Sequence, residues 1–255
     1  MDNYLKSDCV VEERINIGEI PAILFRPMSK KGPMPTIIFY HGWSSKKEFQ
    51  RMRGFILSSV GYQVIIPDAI YHGERMPLSD YGNKKAIRLF WKVVLNNMEE
   101  YPRIIEEAIS KYDGDPRRIG VTGHSMGGIT AAGIFTHNPE LKALVVLNGS
   151  LAWENFNEDF EKYVEMDEEM REIKNRVRVL DPVSNLELLK GRPILILHGE
   201  SDTSVPVRSQ RLFYEKARPI YEDKDRIKFI EYPNLNHFVT TNMMEEVIIW
   251  FHKYL

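Results

Sequence analysis

Six short apolar runs, each ending in or next to Gly, Asp or Pro, constrain this chain most: TIIFYHG (36–42), YQVIIPD (62–68), RIGVTG (118–123), KALVVLNG (142–149), RPILILHG (192–199) and RIKFIEYP (226–233). Runs this short, without polar alternation, predict strands buried on both faces. Helical stretches separate them, at about 47–60, 83–111, 126–138, 206–218 and 241–254. Strand alternating with helix predicts an α/β fold: a mostly parallel, twisted sheet with helices on both faces. Pro102 is expected to kink or divide the second helix, since it has no N–H to donate. Ahead of this series, VVEERINI and IPAILFRP predict two antiparallel strands joined at Gly18-Glu19.

No fixed-period repeat, low-complexity tract or Pro/Gly/Ser-rich linker interrupts the 255 residues, so residues 1–255 are expected to form a single domain. The stretch 151–190 is too long for an ordinary connection and too rich in Glu and Asp for a core, and it predicts a helical cap insertion. Trp153, Phe156, Phe160, Tyr163, Met166 and Met170 give that cap an apolar underside, read mainly as packing against the body.

A formal charge of −2 supplies no basic field for phosphate backbones or anionic lipid, so neither nucleic acid nor a membrane is an expected partner. The lone cysteine, Cys9, excludes an internal disulfide. The opening residues lack the apolar region of a secretory signal, and no run of about 18 apolar residues occurs, so the expected location is cytoplasmic. Without an HExxH pattern or a cysteine pair, no metal and no organic cofactor is expected.

The chemistry centres on VTGHSMGG, residues 121–128. G-x-S-x-G is common by chance, but here the serine follows a short strand and precedes a helix, the setting of a nucleophile elbow. A sharp strand-to-helix turn pushes the Ser125 hydroxyl outward and needs small neighbours, which Gly123, Gly127 and Gly128 supply. A phosphate loop is the rival reading. Its lysine is missing, because Ile129 stands in that place.

A serine nucleophile needs a base, and the base an orienting carboxylate. Glu200 and Asp202 follow the strand RPILILHG, and His237 follows RIKFIEYP, in the order this architecture expects. His41, His72, His124 and His198 also lie near strand ends, but none follows the acid, and His252 sits in the last helix. For the oxyanion, Met126 N–H comes directly after the nucleophile, and Trp43 N–H in FYHGWSS is the second candidate, with Gly42 permitting close approach.

With FYHGW, GHSMGG, HGESDTSVP and NLNH in this order, the chain resembles the α/β-hydrolase family over nearly its whole length. The likeness is to small single-domain bacterial carboxylesterases in the branch with dienelactone hydrolases and prolyl-oligopeptidase-type peptidases. It implies a triad of Ser125, Asp202 and His237, with Asp202 rather than Glu200 as the acid, and Trp43 and Met126 as oxyanion donors. Position 125 is serine where dienelactone hydrolases carry cysteine, so that activity is not expected. No large gating propeller fits ahead of Thr36. Asn236 stands where the family often has Gly, a tolerable exchange because Asn enters left-handed backbone conformations more readily than most residues.

The expected function is a serine carboxylesterase acting on small to medium acyl esters, with a small-molecule ester substrate. Two alternatives stand beside it: a peptidase using the same triad, its substrate amine held by the acidic cap (Glu154, Glu158, Asp159, Glu161, Glu165), and a non-catalytic binding protein. Tyr71, Phe90, Trp91 and the cap aromatics are candidates for the pocket wall. Oligomeric state is not legible in the sequence.

Overall fold

The computed structural model describes residues 7–29, 32–160, 162 and 164–255. Two N-terminal strands, β1 (Val10–Ile17) and β2 (Ile20–Pro27), pair antiparallel and turn at Gly18, whose φ of 56° suits a residue without Cβ. The six buried runs become β3 (Met34–Tyr40), β4 (Gln63–Pro67), β5 (Gly114–His124), β6 (Ala143–Leu147), β7 (Ile194–Gly199) and β8 (Ile227–Tyr232). Residues of β3, β4, β6 and β7 are buried throughout, as expected of strands covered on both sides.

All eight strands join one sheet in the order β1-β2-β4-β3-β5-β6-β7-β8, parallel from β4 to β8, with β2 antiparallel to β4. After β3 the chain first builds outward to β4, then crosses to the other side of β3 for β5. This reversal opens a crevice beyond the carboxyl ends of β3 and β5, where ligands bind in such sheets.

The helices are α1 (Arg51–Ser59), α2 (Lys84–Ile87), α3 (Phe90–Ser110), α4 (Met126–His137), α5 (Trp153–Phe160), α6 (Glu168–Leu180), α7 (Arg208–Ala217) and α8 (Thr241–Tyr254). Pro102 does not divide α3, which runs unbroken past it; the interruption falls at Arg88-Leu89 instead. The one hydrogen bond that Pro102 forfeits is outweighed by the buried face of Tyr101, Ile104, Ile105 and Ala108 against the sheet. Among the described residues, no helix is long and apolar enough to cross a membrane.

The segment between β6 and β7 carries α5 and α6. Trp153, Phe156, Met170 and Val177 are buried, and Trp153 packs against Trp91 at 5.3 Å between ring centroids. Glu161, Tyr163 and the side chains of Asp159 and Phe160 lie outside the described residues.

Candidate active site

The site is built on the turn from β5 into α4. Ser125 has φ 59° and ψ −124°, a conformation costly for any residue with a Cβ and held only by its surroundings. Its N–H donates to Leu147 O at 2.9 Å, and its carbonyl accepts from Ile129 N at 3.0 Å. The flanking glycines are steric necessities. A Cβ on Gly127 would sit 2.0 Å from Tyr40 O, and one on Gly123 would sit 2.3 Å from the Gly127 carbonyl, so α4 enters directly against β3 and β5.

The loop after β3 closes over the same point. A Cβ on Gly42 would meet Ser125 Cβ at 3.2 Å, which places the Gly42–Trp43 peptide beside the serine. Met126, wholly buried, opens α4, and its N–H is one of the first-turn donors without an intrahelical acceptor.

His237 lies on the loop after β8, and its Nδ1 donates to Asp202 Oδ2 at 2.7 Å. A carboxylate only accepts, so Nδ1 carries the proton and Nε2 is the basic nitrogen. The imidazole of His124, the residue before Ser125, lies 4.8 Å from that of His237. Burial pushes the His124 pKa down to about 3, so it stays neutral.

Asp202, not Glu200, reaches His237; Glu200 Oε2 instead accepts from Asn234 N at 3.3 Å. The Asp202 carboxyl is fully buried. Burial alone would raise its pKa. Contacts from His198 and His237, with the Val205 N–H bond, outweigh it and hold the group below the ordinary carboxylate range. Its Oδ1 accepts from Ser204 N and Val205 N, both at 2.8 Å.

Three supports escaped the sequence reading. Asn236 is not the left-handed residue before the histidine; Asn234 is, at φ 57°. Asn236 Oδ1 accepts from His237 N at 2.7 Å, Thr203 N at 3.0 Å and Thr203 Oγ1 at 3.2 Å, joining the loop that carries His237 to the loop that carries Asp202. Asn148, at φ 46°, donates through Nδ2 to Phe238 O at 2.9 Å and accepts from Gly199 N at 3.0 Å. The only sequence signal for these two was an Asn at a strand end or beside a catalytic candidate. Third, Lys47 is buried against Asp68, with Nζ 2.5 Å from Oδ2 and 2.6 Å from Glu74 Oε1.

A cleft of about 530 Å³ opens at Ser125. Trp43, Tyr81, Ile87, Phe90 and Phe156 form an apolar wall, and Thr203 to Pro206 line it as well. Of the other residues expected to line the pocket, Trp91 is buried behind the wall, its Nε1 bonded to Asn157 Oδ1, and Tyr71 contributes its carbonyl to Tyr81 OH. Among the described residues, Lys162 is the one charged side chain lining the cleft. Glu154 and Glu158 line a separate recess with Asn157, Lys174 and Val177.

Residues 49–255 match the model of the prolyl oligopeptidase family. The chain belongs to that family. It is therefore a hydrolase with the α/β-hydrolase fold, as its eight-stranded sheet already indicates. Among full-length relatives it is 30% identical to YitV of Bacillus subtilis over 95% of this chain and 98% of that one. It is 28% identical to "Esterase YjfP" of Escherichia coli, over 96% of this chain and 99% of that protein. The crystal structure of TT1662 from Thermus thermophilus superimposes with a TM-score of 0.81 at 22% identity, covering 96% of this chain and 97% of the other. Its identity is low, so it speaks for the fold alone.

Proposed function

We propose that this family member is a serine carboxylesterase acting on small to medium acyl esters. The observation that carries the reading is a strained serine at a glycine-walled elbow, with a histidine whose Nδ1 is pinned by a buried carboxylate and whose ring packs 4.8 Å from that of the preceding His124. His237 Nε2 takes the Ser125 proton as Oγ attacks the ester carbonyl carbon. The tetrahedral oxyanion is held between the Trp43 and Met126 N–H groups. His237 then returns the proton to the leaving alkoxide oxygen, releasing the alcohol and leaving an acyl-serine. Water, deprotonated by the same nitrogen, releases the acid and restores Ser125. Asp202 keeps the imidazole in the attacking tautomer and stabilises the imidazolium between steps.

The cleft favours esters over amine-anchored peptides. A peptidase that grips a substrate ammonium needs an anion in the cleft, and no carboxylate lines it among the described residues. YjfP, related over nearly its whole length, carries the name esterase, which supports the same choice. As written, the reaction uses only this chain's groups and water, with no metal or organic cofactor. We read the chain as one domain with a cap insertion, supported by the single continuous sheet, and place it in the cytoplasm, where its free, exposed Cys9 stays reduced.

Turnover of p-nitrophenyl esters of graded chain length, beside amino-acid p-nitroanilides, tests the reading. We expect esters to be hydrolysed, anilides not, and Ser125→Ala to abolish turnover with the fold intact. Undiminished turnover by Ser125→Ala removes the nucleophile. Preference for the anilides replaces the esterase by a peptidase.

A further inference from the structure

Trp43 N–H and Gly42 C=O belong to one peptide unit. In a trans peptide the two point in opposite directions, so whatever grips the carbonyl aims the amide. Two donors grip it. Ser45 N–H reaches Gly42 O at 3.2 Å, closing a turn whose third residue, Ser44, has φ 58°. His41 Nδ1 lies 2.9 Å from the same oxygen.

The hydrogen-bond partners decide the state of that imidazole. A carbonyl only accepts, so His41 Nδ1 carries a proton. The other nitrogen, Nε2, accepts the Ala69 N–H at 3.0 Å and therefore carries none. His41 is thus a neutral Nδ1–H tautomer bridging the loop after β3 to the loop after β4. Burial lowers its pKa and keeps it neutral, with 2% of the residue exposed. A proton on Nε2 would face Ala69 N–H, donor against donor.

The anchor on the far side is rigid. Asp68, next to Ala69, is fully buried and accepts from Lys47 N at 3.0 Å, Lys47 Nζ at 2.5 Å and Glu74 N at 3.0 Å. The His72 ring packs 5.1 Å from His41 and 5.0 Å from the Trp43 indole, filling the space between them.

We propose that His41 is a positioning residue: by gripping the carbonyl of the Gly42–Trp43 peptide, it aims the Trp43 amide at the substrate oxyanion, and it moves no proton. The proposal rests on the reading of Ser125 as nucleophile and Trp43 as oxyanion donor.

Two substitutions split the two hydrogen bonds. In His41→Asn the side-chain amide nitrogen falls where Nδ1 lies and keeps the bond to Gly42 O. In His41→Gln the amide reaches the place of Nε2, keeps the acceptor for Ala69 N–H, and abandons Gly42. Relative to wild type, the Gln variant is expected to lose about 10- to 100-fold in kcat with KM little changed, while the Asn variant stays within about fivefold. The inhibition constant of an aryl trifluoromethyl ketone, whose adduct places an oxyanion in the same spot, is expected to rise with the kcat loss in the Gln variant and to stay near wild type in the Asn variant. Equal losses in both variants, or a Gln variant with wild-type kcat and inhibition, overturn the proposal.

If neither variant folds, the wild-type protein still answers. Long-range ¹H–¹⁵N spectra are expected to show His41 as the neutral Nδ1–H tautomer, and an Nε2–H tautomer or an imidazolium near neutral pH overturns it. Failure of the esterase reading shows separately, as turnover that survives Ser125→Ala.

Discussion

Removing the Asn236 side chain is expected to weaken stability and catalysis together, because one oxygen holds the loops carrying His237 and Asp202 in register. Its Oδ1 accepts from His237 N, Thr203 N and Thr203 Oγ1 at 2.7, 3.0 and 3.2 Å. Each such bond contributes about 1 kcal/mol net, and the three share one half-buried acceptor, so Asn236→Ala is expected to cost about 2 kcal/mol. For a chain of this size that corresponds to a fall in Tm of roughly 4–8 °C. The kinetic effect is larger in proportion. A loop free to shift by a fraction of an ångström carries the imidazole with it, so kcat/KM for p-nitrophenyl butyrate is expected to drop about 10- to 100-fold.

Asn236→Asp is the informative partner, since all three bonds are accepted and a carboxylate accepts as well as an amide oxygen. It is expected to keep most of the stability. Its negative charge beside the imidazole favours the protonated ring, so the acid limb of the pH–rate profile is expected to move to higher pH. Thermal melts followed by circular dichroism, with steady-state rates across the pH range, read both effects. An Ala variant that melts within about 1 °C of wild type, at unchanged kcat/KM, refutes the reasoning that Asn236 couples the two loops.

Two further outcomes follow from buried groups. Lys47→Met leaves the Asp68 carboxylate buried without its cation and is expected to cost on the order of 3 kcal/mol in urea denaturation, whereas Lys47→Met combined with Asp68→Asn is expected to cost less; a single variant as stable as wild type would show the pair to be dispensable. Burial pushes the His72 pKa down to about 4. The unfolded chain therefore takes up the proton first, and stability is full above about pH 6.5 and declines as pH falls toward 4, by at most about 3 kcal/mol from this group. His72→Asn is expected to shrink the stability lost between about pH 7 and pH 4.5, and an unchanged loss would exclude His72 as a source.

The strands, the sharp turn at Ser125 and the position of His237 just after β8 were legible because each is written in neighbouring residues. Apolar runs of strand length read the same in any buried sheet, and Ser125 between glycines is a local steric statement. The supports were not legible. Asn236, Asn148 and Lys47 find partners 33, 90 and 21 residues away, and nothing in their immediate sequence names those partners. That Pro102 would not divide α3 was not legible for the same reason, since the burial that keeps α3 continuous comes from the sheet and not from the helix.

What the sequence alone determined was the set of strands, the strained turn at Ser125 and the order in which Ser125, Asp202 and His237 arrive at strand ends. The tertiary structure decided the rest: that Asp202 and not Glu200 meets His237, that the acidic cap residues Glu154 and Glu158 line a recess apart from the cleft, and that His41 bridges two loops as a neutral ring. The division has one physical cause. Periodicity and turn chemistry depend on contacts a few residues apart, whereas hydrogen-bond partners across a crevice are chosen by which strands become neighbours, and the switch at β3 made those neighbours.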